Sequence, residues 1–507
     1  MPRFVKFAKG PLLATLTLLA ARVALAQQIQ PAQQPQPTYL GAAPQDRNQA
    51  AFPPPTPHLP QNIPPGNVPG PGTSPAADAA QPQVAPAQYT SQPYANQPQY
   101  TNQPFENQPL YANEPQYTNQ PSYLPPPQRP RGAPTSPFLL STRFWFRTEL
   151  LLWWTKAGPM PQPLVTQGSA DDAIPGALGQ PGTQTLIGGG SVTFGTFTGL
   201  RLQSGFWLDD DQTFAVEGEY FFLGKQFSNA SAFSDPDGNP VIARPVINAQ
   251  TGTEASYVDS LPGSISGGAS VFNSSALQGW EINGAANFFR SATNEFRLDG
   301  LLGFRYLNLT ESLEIQDQFG GNADGTLTFG GQPISATESL ADFDRFRTTN
   351  NFYGGMFGAR LTWMPGRWVI STATKIALGT NQERTVIQGG TALLDFFGTT
   401  EAFLPGGVLA TTANIGSYYR SPFAVVPEAR LNIGFQATPW MTVRVGYSFL
   451  YISNVLRPGN QVNRVTSANL VPSDQGYAQA GPNLPVYQFH TSTFWAQGLN
   501  LGLDFHF

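Results

Sequence analysis

The stretch Thr493-Phe494-Trp495-Ala496-Gln497-Gly498-Leu499-Asn500-Leu501-Gly502-Leu503-Asp504-Phe505-His506-Phe507 decides how the rest of the chain is read. From 495 on, its odd positions are Trp495, Gln497, Leu499, Leu501, Leu503, Phe505 and Phe507, whereas its even positions are small or polar. Strand side chains point alternately to two faces, so one face here meets an apolar phase and the other meets water or a polar interior. An aromatic residue sits at each end of the apolar face. That is the pattern of a membrane-spanning strand with interfacial girdles, and a bilayer admits strands only where a closed barrel pairs every backbone group.

The same alternation recurs upstream. Phe144, Phe146, Leu150, Leu152 and Trp154 oppose Arg147 and Glu149; Leu200, Leu202, Phe206 and Leu208 oppose Arg201 and Gln203. Across the turn Asp209-Asp210-Asp211-Gln212, Phe214, Val216, Tyr220 and Phe222 oppose Glu217 and Glu219. Trp280, Ile282 and Phe288 oppose Glu281, Asn283 and Asn287, and after Ser291 to Asn294 the residues Phe296, Leu298, Leu302, Phe304 and Tyr306 oppose Arg297, Asp299 and Arg305. Tyr353, Phe357, Leu361 and Trp363 oppose Arg360; beyond Pro365-Gly366-Arg367, Trp368, Ile370, Ile376 and Leu378 oppose Ser371 and Lys375. Val425, Leu431, Ile433 and Phe435 oppose Glu428 and Arg430, and beyond Ala437-Thr438-Pro439, Met441, Val443, Val445, Tyr447 and Phe449 oppose Arg444.

Short turns alternate with long polar stretches, which end near Thr196, run from Gly224 to about Ala276, begin near Gly320, reach about Ala413 and run from Val455 to about Val486. The expected fold is all-β: a transmembrane antiparallel up-and-down β-barrel of about ten strands, or twelve if the longest loops hide a further hairpin. The nine Trp fall at strand ends. Trp145, Trp207, Trp363, Trp368 and Trp440 are expected in a girdle by the short turns, and Trp153, Trp154, Trp280 and Trp495 in one by the long loops, with Phe507 as a further interface residue.

Before the barrel the composition changes. Arg3, Lys6 and Lys9 precede the apolar run Leu12 to Ala20 and the A-x-A site Ala24-Leu25-Ala26, so residues 1–26 read as a secretory signal peptide. Residues 27–137 are rich in Pro, Gln, Asn and Tyr, with a recurring unit as in Tyr94-Ala95-Asn96-Gln97-Pro98, and are expected to be a disordered periplasmic tether. The barrel domain is then 138–507, an integral outer-membrane unit with its amino-terminal arm and carboxyl end in the periplasm. Its expected partners are outer-membrane lipid and, through the last strand, the barrel-assembly machinery. With no Cys there are no disulfides or thiolate sites, and a net charge of -5 without a basic block gives no support for nucleic-acid binding.

Chemical motifs are few. His490 and Ser492 share one strand face, the spacing a barrel hydrolase could use, but no orienting acid accompanies them. Asp235-Pro236-Asp237-Gly238-Asn239 misses the calcium-loop spacing and reads as a turn; Gly188-Gly189-Gly190 reads as loop; His58 lies in the tether and His506 at the lumen's periplasmic end. No catalytic residue, cofactor or metal is expected.

The inward-facing charges carry the functional expectation. Arg147, Arg201, Arg297, Arg305, Arg360, Lys375, Arg430 and Arg444 are nearly balanced by Glu149, Glu217, Glu219, Glu281, Asp299, Glu428 and Asp504. Interleaved signs pair across strands rather than forming a selective ring, and a barrel this narrow leaves little room beside them. The lumen is therefore expected to be narrow or closed by ion pairs.

Several segments resemble a known family. These are Glu149-Leu150-Leu151-Leu152-Trp153-Trp154-Thr155-Lys156, Pro163-Leu164-Val165-Thr166, Gly199-Leu200-Arg201, Gly205-Phe206-Trp207-Leu208-Asp209 and Gly303-Phe304-Arg305-Tyr306-Leu307. To them are added Asn351-Phe352-Tyr353-Gly354-Gly355, Val425-Val426-Pro427-Glu428, Gly446-Tyr447-Ser448-Phe449-Leu450, Arg457-Pro458-Gly459 and Gly498-Leu499-Asn500-Leu501-Gly502. Over about 143–507 the chain resembles the outer-membrane beta-barrel porin family numbered seven (BBP7 type). The resemblance implies an outer-membrane barrel and no particular substrate. The function it leaves open is a porin-like passive or structural envelope role, with partner binding through long external loops as the alternative and a hydrolase behind both.

Overall fold

A computed structural model describes residues 143–479 and 484–507. The expected signal peptide, the tether with His58, and the first residues of the barrel domain lie outside the described residues. Nineteen strands follow in order: β1 (Phe144–Thr155), β2 (Gly158–Gly168), β3 (Gln184–Val192), β4 (Phe197–Trp207), β5 (Phe214–Phe233), β6 (Val241–Asn248), β7 (Glu254–Ser260), β8 (Ile265–Arg290), β9 (Phe296–Gly321), β10 (Thr328–Phe329), β11 (Gln332–Pro333), β12 (Ser339–Trp363), β13 (Trp368–Leu394), β14 (Thr400–Pro405), β15 (Gly416–Arg420), β16 (Phe423–Thr438), β17 (Met441–Leu456), β18 (Val465–Thr466) and β19 (Thr491–His506).

Ten of them form a closed antiparallel ring in the order β1-β4-β5-β8-β9-β12-β13-β16-β17-β19. The ring shuts where β1 pairs with β19, from Trp145 opposite His506 to Thr155 opposite Ala496. No edge remains, as hydrocarbon requires. The short turns are tied by side chains: the Asp209 carboxylate accepts the backbone N–H groups of Thr213 (2.9 Å) and Phe214 (2.8 Å).

The strands run longer than the alternation in the sequence predicts, and β9 gives the reason. Up to Tyr306 its outward positions Phe296, Leu298, Leu302, Phe304 and Tyr306 are apolar or aromatic and its inward positions Arg297, Asp299 and Arg305 are charged. Beyond it the outward positions become Asn308, Thr310, Ser312, Glu314 and Gln316, and the inward ones are mostly apolar, Leu307, Leu309, Leu313 and Ile315, with the charged Glu311 and Asp317 among them. The faces do not change; their environments do. Below this point the wall stands in an apolar phase around a polar lumen, and above it the wall stands in water around an apolar filling. The span from 296 to 306 rises roughly 33 Å along the strand, or roughly 25 Å when tilted, the height of a barrel's apolar band.

The filling is a cap built from segments read as loops. β6 pairs with β2, β7 and β18, and β3 pairs with β2. Cap residues Leu164, Val165, Ile242 and Val246 pack against wall residues Val271, Leu313, Ile315, Phe346 and Ile387. Buried against the wall and the rest of the cap, β6 reads Val241-Ile242-Ala243-Arg244-Pro245-Val246 without alternation, which is why a period-two scan passes over it. Gly188 to Gly190, expected in a loop, lies in β3, where the β2–β3 register shifts around Pro163; Gly188 has φ +98° and a Cβ there would sit 2.3 Å from the Gln162 carbonyl, so glycine is needed at this bulge.

Three of the expected interface aromatics are elsewhere. Trp153 is 1% exposed and faces the lumen, and Trp145 and Trp207 are also buried inside the barrel. Each occupies an inward position of its strand, and the Arg297 guanidinium lies 4.0 Å from the Trp207 ring centroid. Trp154, Trp280, Trp363, Trp368 and Trp440 are exposed on the outer wall, as is Phe507, with Trp495 half-buried. The outer rings pair across strands, Phe296 stacking on Trp363 at 5.6 Å and Trp368 meeting Phe435 edge-on at 5.2 Å.

Candidate functional site: the barrel lumen

The lumen is filled in layers. At the short-turn end a cavity of about 300 Å³ is lined by Trp145, Trp207, Asp299, Arg360, Asp504 and His506, among others. Around it and above it lie the charges that the strand alternation turns inward, and each of the fifteen has a partner of opposite sign. Some pairs join neighbouring strands, as the register dictates: Glu149 stands opposite Arg201 and accepts its Nη1 at 2.7 Å, and Arg147 stands opposite Asp504 with Nε–Oδ1 at 2.7 Å. Asp299 accepts Arg297 at 2.7 Å and Arg360 at 3.2 Å.

Other pairs cross the lumen between strands that are not neighbours. Arg430 on β16 reaches Glu219 on β5, with Nη1–Oε2 at 2.6 Å and Nη2–Oε1 at 2.5 Å. Arg360 on β12 reaches Glu217 on β5 at 2.8 Å, Arg305 on β9 reaches Glu428 on β16, and Lys375 on β13 reaches Glu281 on β8. These join into one chain of alternating sign, Glu149–Arg201–Glu219–Arg430–Glu428–Arg305–Glu281–Lys375, with four acids and four bases. A second group holds Asp504 between Arg147 and Arg444, and runs Arg297–Asp299–Arg360–Glu217 beside it. An ordinary pore keeps such groups apart around open water; here the guanidinium forks span the interior.

Directly above the charges is an apolar layer, formed by Leu151, Trp153, Phe197, Phe221, Leu223, Leu277, Leu307, Leu309, Phe352, Met356, Leu450, Ile452 and Phe494. The Trp153 indole N–H donates to Asn500 Oδ1 (2.8 Å), and its ring lies 5.3 Å from the Arg201 guanidinium, so the two layers touch. Higher still, Arg457 pairs with Glu311 (2.9 Å), and Asn350 donates to the Leu456 carbonyl (2.9 Å). Neither end of this upper pair is among the inward charges expected from the sequence. Glu311 was detectable, since it continues the odd, inward face of Asp299 and Arg305; Arg457 sits outside any strand and gives no periodic signal.

The remaining motifs stay apart. His490 is exposed and its backbone N–H donates to Gln461 Oε1 (3.3 Å), whereas the Ser492 hydroxyl turns to the Thr493 carbonyl (3.4 Å). Asp235 closes a turn by accepting the Asn239 N–H at 2.8 Å. Among the described residues no group of three or more His, Cys, Asp or Glu is arranged to hold a metal ion.

Comparison with solved structures returns other barrels at low similarity. The outer membrane protease OmpT of Escherichia coli is 6% identical, covers 72% of this chain and 97% of its own, and superposes with a TM-score of 0.32. The toluene transporter TodX of P. putida is 8% identical, with 74% and 93% covered and a TM-score of 0.15. A FadL homologue of Pseudomonas aeruginosa is 8% identical, with 73% and 91% covered and a TM-score of 0.20. Scores this low add nothing to what the strand pairing already establishes. No curated protein matches the chain in sequence. A family model does, over residues 145–507, which takes in the whole ring from its first strand to its last, and the chain therefore belongs to the family described as "Putative beta barrel porin-7 (BBP7)".

Proposed function

We propose that the protein is an integral outer-membrane barrel with a structural, porin-like envelope role, and that its lumen is closed to solutes. The observation that carries this reading is the set of ion pairs crossing the lumen between non-neighbouring strands, lying under a continuous apolar layer. A hydrated solute would have to break buried pairs and then pass a dry constriction, each unfavourable on its own. The short turns, the amino-terminal arm and Phe507 face the periplasm in this reading, and the cap faces outward. The last strand is the segment through which assembly machinery would insert the barrel.

The absence of Cys makes the orientation easy to test. Phe397→Cys, in an exposed turn at the long-loop end, is expected to react with a membrane-impermeant maleimide on intact cells. Thr293→Cys, in a short turn, is expected to react only after the outer membrane is permeabilised. The reverse pattern contradicts the proposed orientation.

A second reading, a surface that meets partners, is favoured by one observation. Phe396 and Phe397 are 72% and 83% exposed at the tip of a turn that Asp395 holds rigid by accepting the N–H groups of Phe397 (2.9 Å) and Thr399 (2.6 Å). An enzymatic role is the weakest of the three. Ser492→Ala is expected to leave any lipid or ester turnover by the purified barrel unchanged, and a rate lost on that substitution would restore the hydrolase.

A further inference from the structure

Well above the apolar band, where the cap meets the wall, five charged side chains are buried together. Asp317 on β9 and Asp342 on β12 are directly opposed in register, both pointing inward, which sets two like charges side by side. Two residues along β12 is Asp344. From the cap come Arg244 on β6 and Asp259 on β7, adjacent antiparallel strands. All five are at most 3% exposed.

The hydrogen bonds do not serve the four carboxylates equally. Arg244 donates to Asp317 and to Asp344 Oδ2 (3.0 Å), and Asp344 Oδ1 also accepts the backbone N–H groups of Leu409 (3.0 Å) and Ala410 (2.7 Å). Asp342 receives the Ser473 hydroxyl at 3.1 Å. Asp259 Oδ2, Asp317 Oδ1 and Asp342 Oδ1 meet no donor among the described residues. The other groups packed around them supply none. β2 and the upper part of β8 carry no charged side chain, the Thr391 hydroxyl of β13 stands beside Asp342 but donates to the Gly406 carbonyl (2.8 Å), and the nearby Tyr257 hydroxyl donates to Asp474 (3.1 Å). Four carboxylates against one guanidinium would leave three uncompensated negative charges in a buried interface, with three oxygens lacking a donor among the described residues. Protons supply both missing things, since a protonated carboxyl is neutral and can donate.

We propose that Asp259, Asp317 and Asp342 form a proton-sharing latch that holds the β6–β7 ribbon of the cap on the barrel wall and loosens it as the protons leave. The inference concerns the cap's docking and does not depend on whether the lumen conducts. Burial pushes Asp317 up to about 6, and burial together with the opposed Asp317 carboxylate pushes Asp342 up to about 7; burial raises Asp259 as well. A carboxyl raised in the docked state and ordinary in the undocked one gives the docked state more bound protons. Docking is then strongest in acid and weakens as pH rises from about 4 through about 7.

Hydrogen exchange of the refolded full chain in detergent micelles, corrected for the intrinsic pH dependence of amide exchange, reads this directly. Amides of 241–248 and 254–260 are expected to lose at least about tenfold protection between about pH 5 and about pH 8, while β19 keeps its own. Asp342→Asn, which keeps the shape and can donate permanently, is expected to flatten that dependence. Protection of the cap that is independent of pH overturns the latch, as does a loss shared equally by β19. A pH dependence unchanged in both Asp342→Asn and Asp259→Asn overturns it too, and if neither variant folds the wild-type profile alone decides.

Discussion

Arg305→Ala is expected to lower the stability of the folded barrel by about 3–5 kcal/mol and to raise its conductance at the same time. Arg305 is 2% exposed and lies between Glu281 and Glu428, so its removal leaves two buried carboxylates facing one another with only Lys375 and Arg430 nearby. Water must follow to solvate them, and that water occupies what was the seal. Arg201→Ala acts at the far end of the same chain, through Glu149 and Glu219. Because the two arginines are linked through Arg430, the double substitution is expected to cost less than the sum of the singles. Thermal unfolding in detergent, followed by the shift in gel migration on heating, measures the first effect and bilayer conductance the second. Lowered stability without any gain in conductance would mean that the apolar layer seals the lumen by itself.

Trp153→Ala tests that layer, with an expected cost of about 3–5 kcal/mol. The side chain is 1% exposed, packs 5.9 Å from the Phe221 ring, and donates its indole N–H to Asn500, so truncation opens a cavity and strands a buried acceptor. Trp440→Ala is the control. That ring lies half-exposed on the outer wall, stacked at 6.2 Å on Phe505, and its loss is expected to cost about 1 kcal/mol or less. Equal costs for the two tryptophans would place Trp153 in the interface after all and remove the apolar layer from the account.

The ring itself could be read from the chain because a strand between lipid and a polar lumen alternates without relief, and the short turns carry their own punctuation. The inward charges could be read for the same reason. What could not be read begins where that environment ends. Above Tyr306 the polar and apolar faces exchange roles, so a scan for outward apolar residues stops at the membrane although the strand continues to Gly321. β6 is buried on both faces and does not alternate at all. Trp145, Trp153 and Trp207 misled through composition: a Trp near a strand end suggests an interface, but the parity of each position, shared with Arg147, Glu149 and Gln203, already pointed inward. The partners that cross the lumen, such as Arg430 with Glu219, are set by the curvature of a closed ring and leave no trace in local spacing.

Single-channel recording of the purified wild-type barrel in planar bilayers tests the closed lumen most directly. The account predicts no large, stable open state and at most small, weakly selective steps; a large, long-lived conductance from the unmodified protein would contradict it.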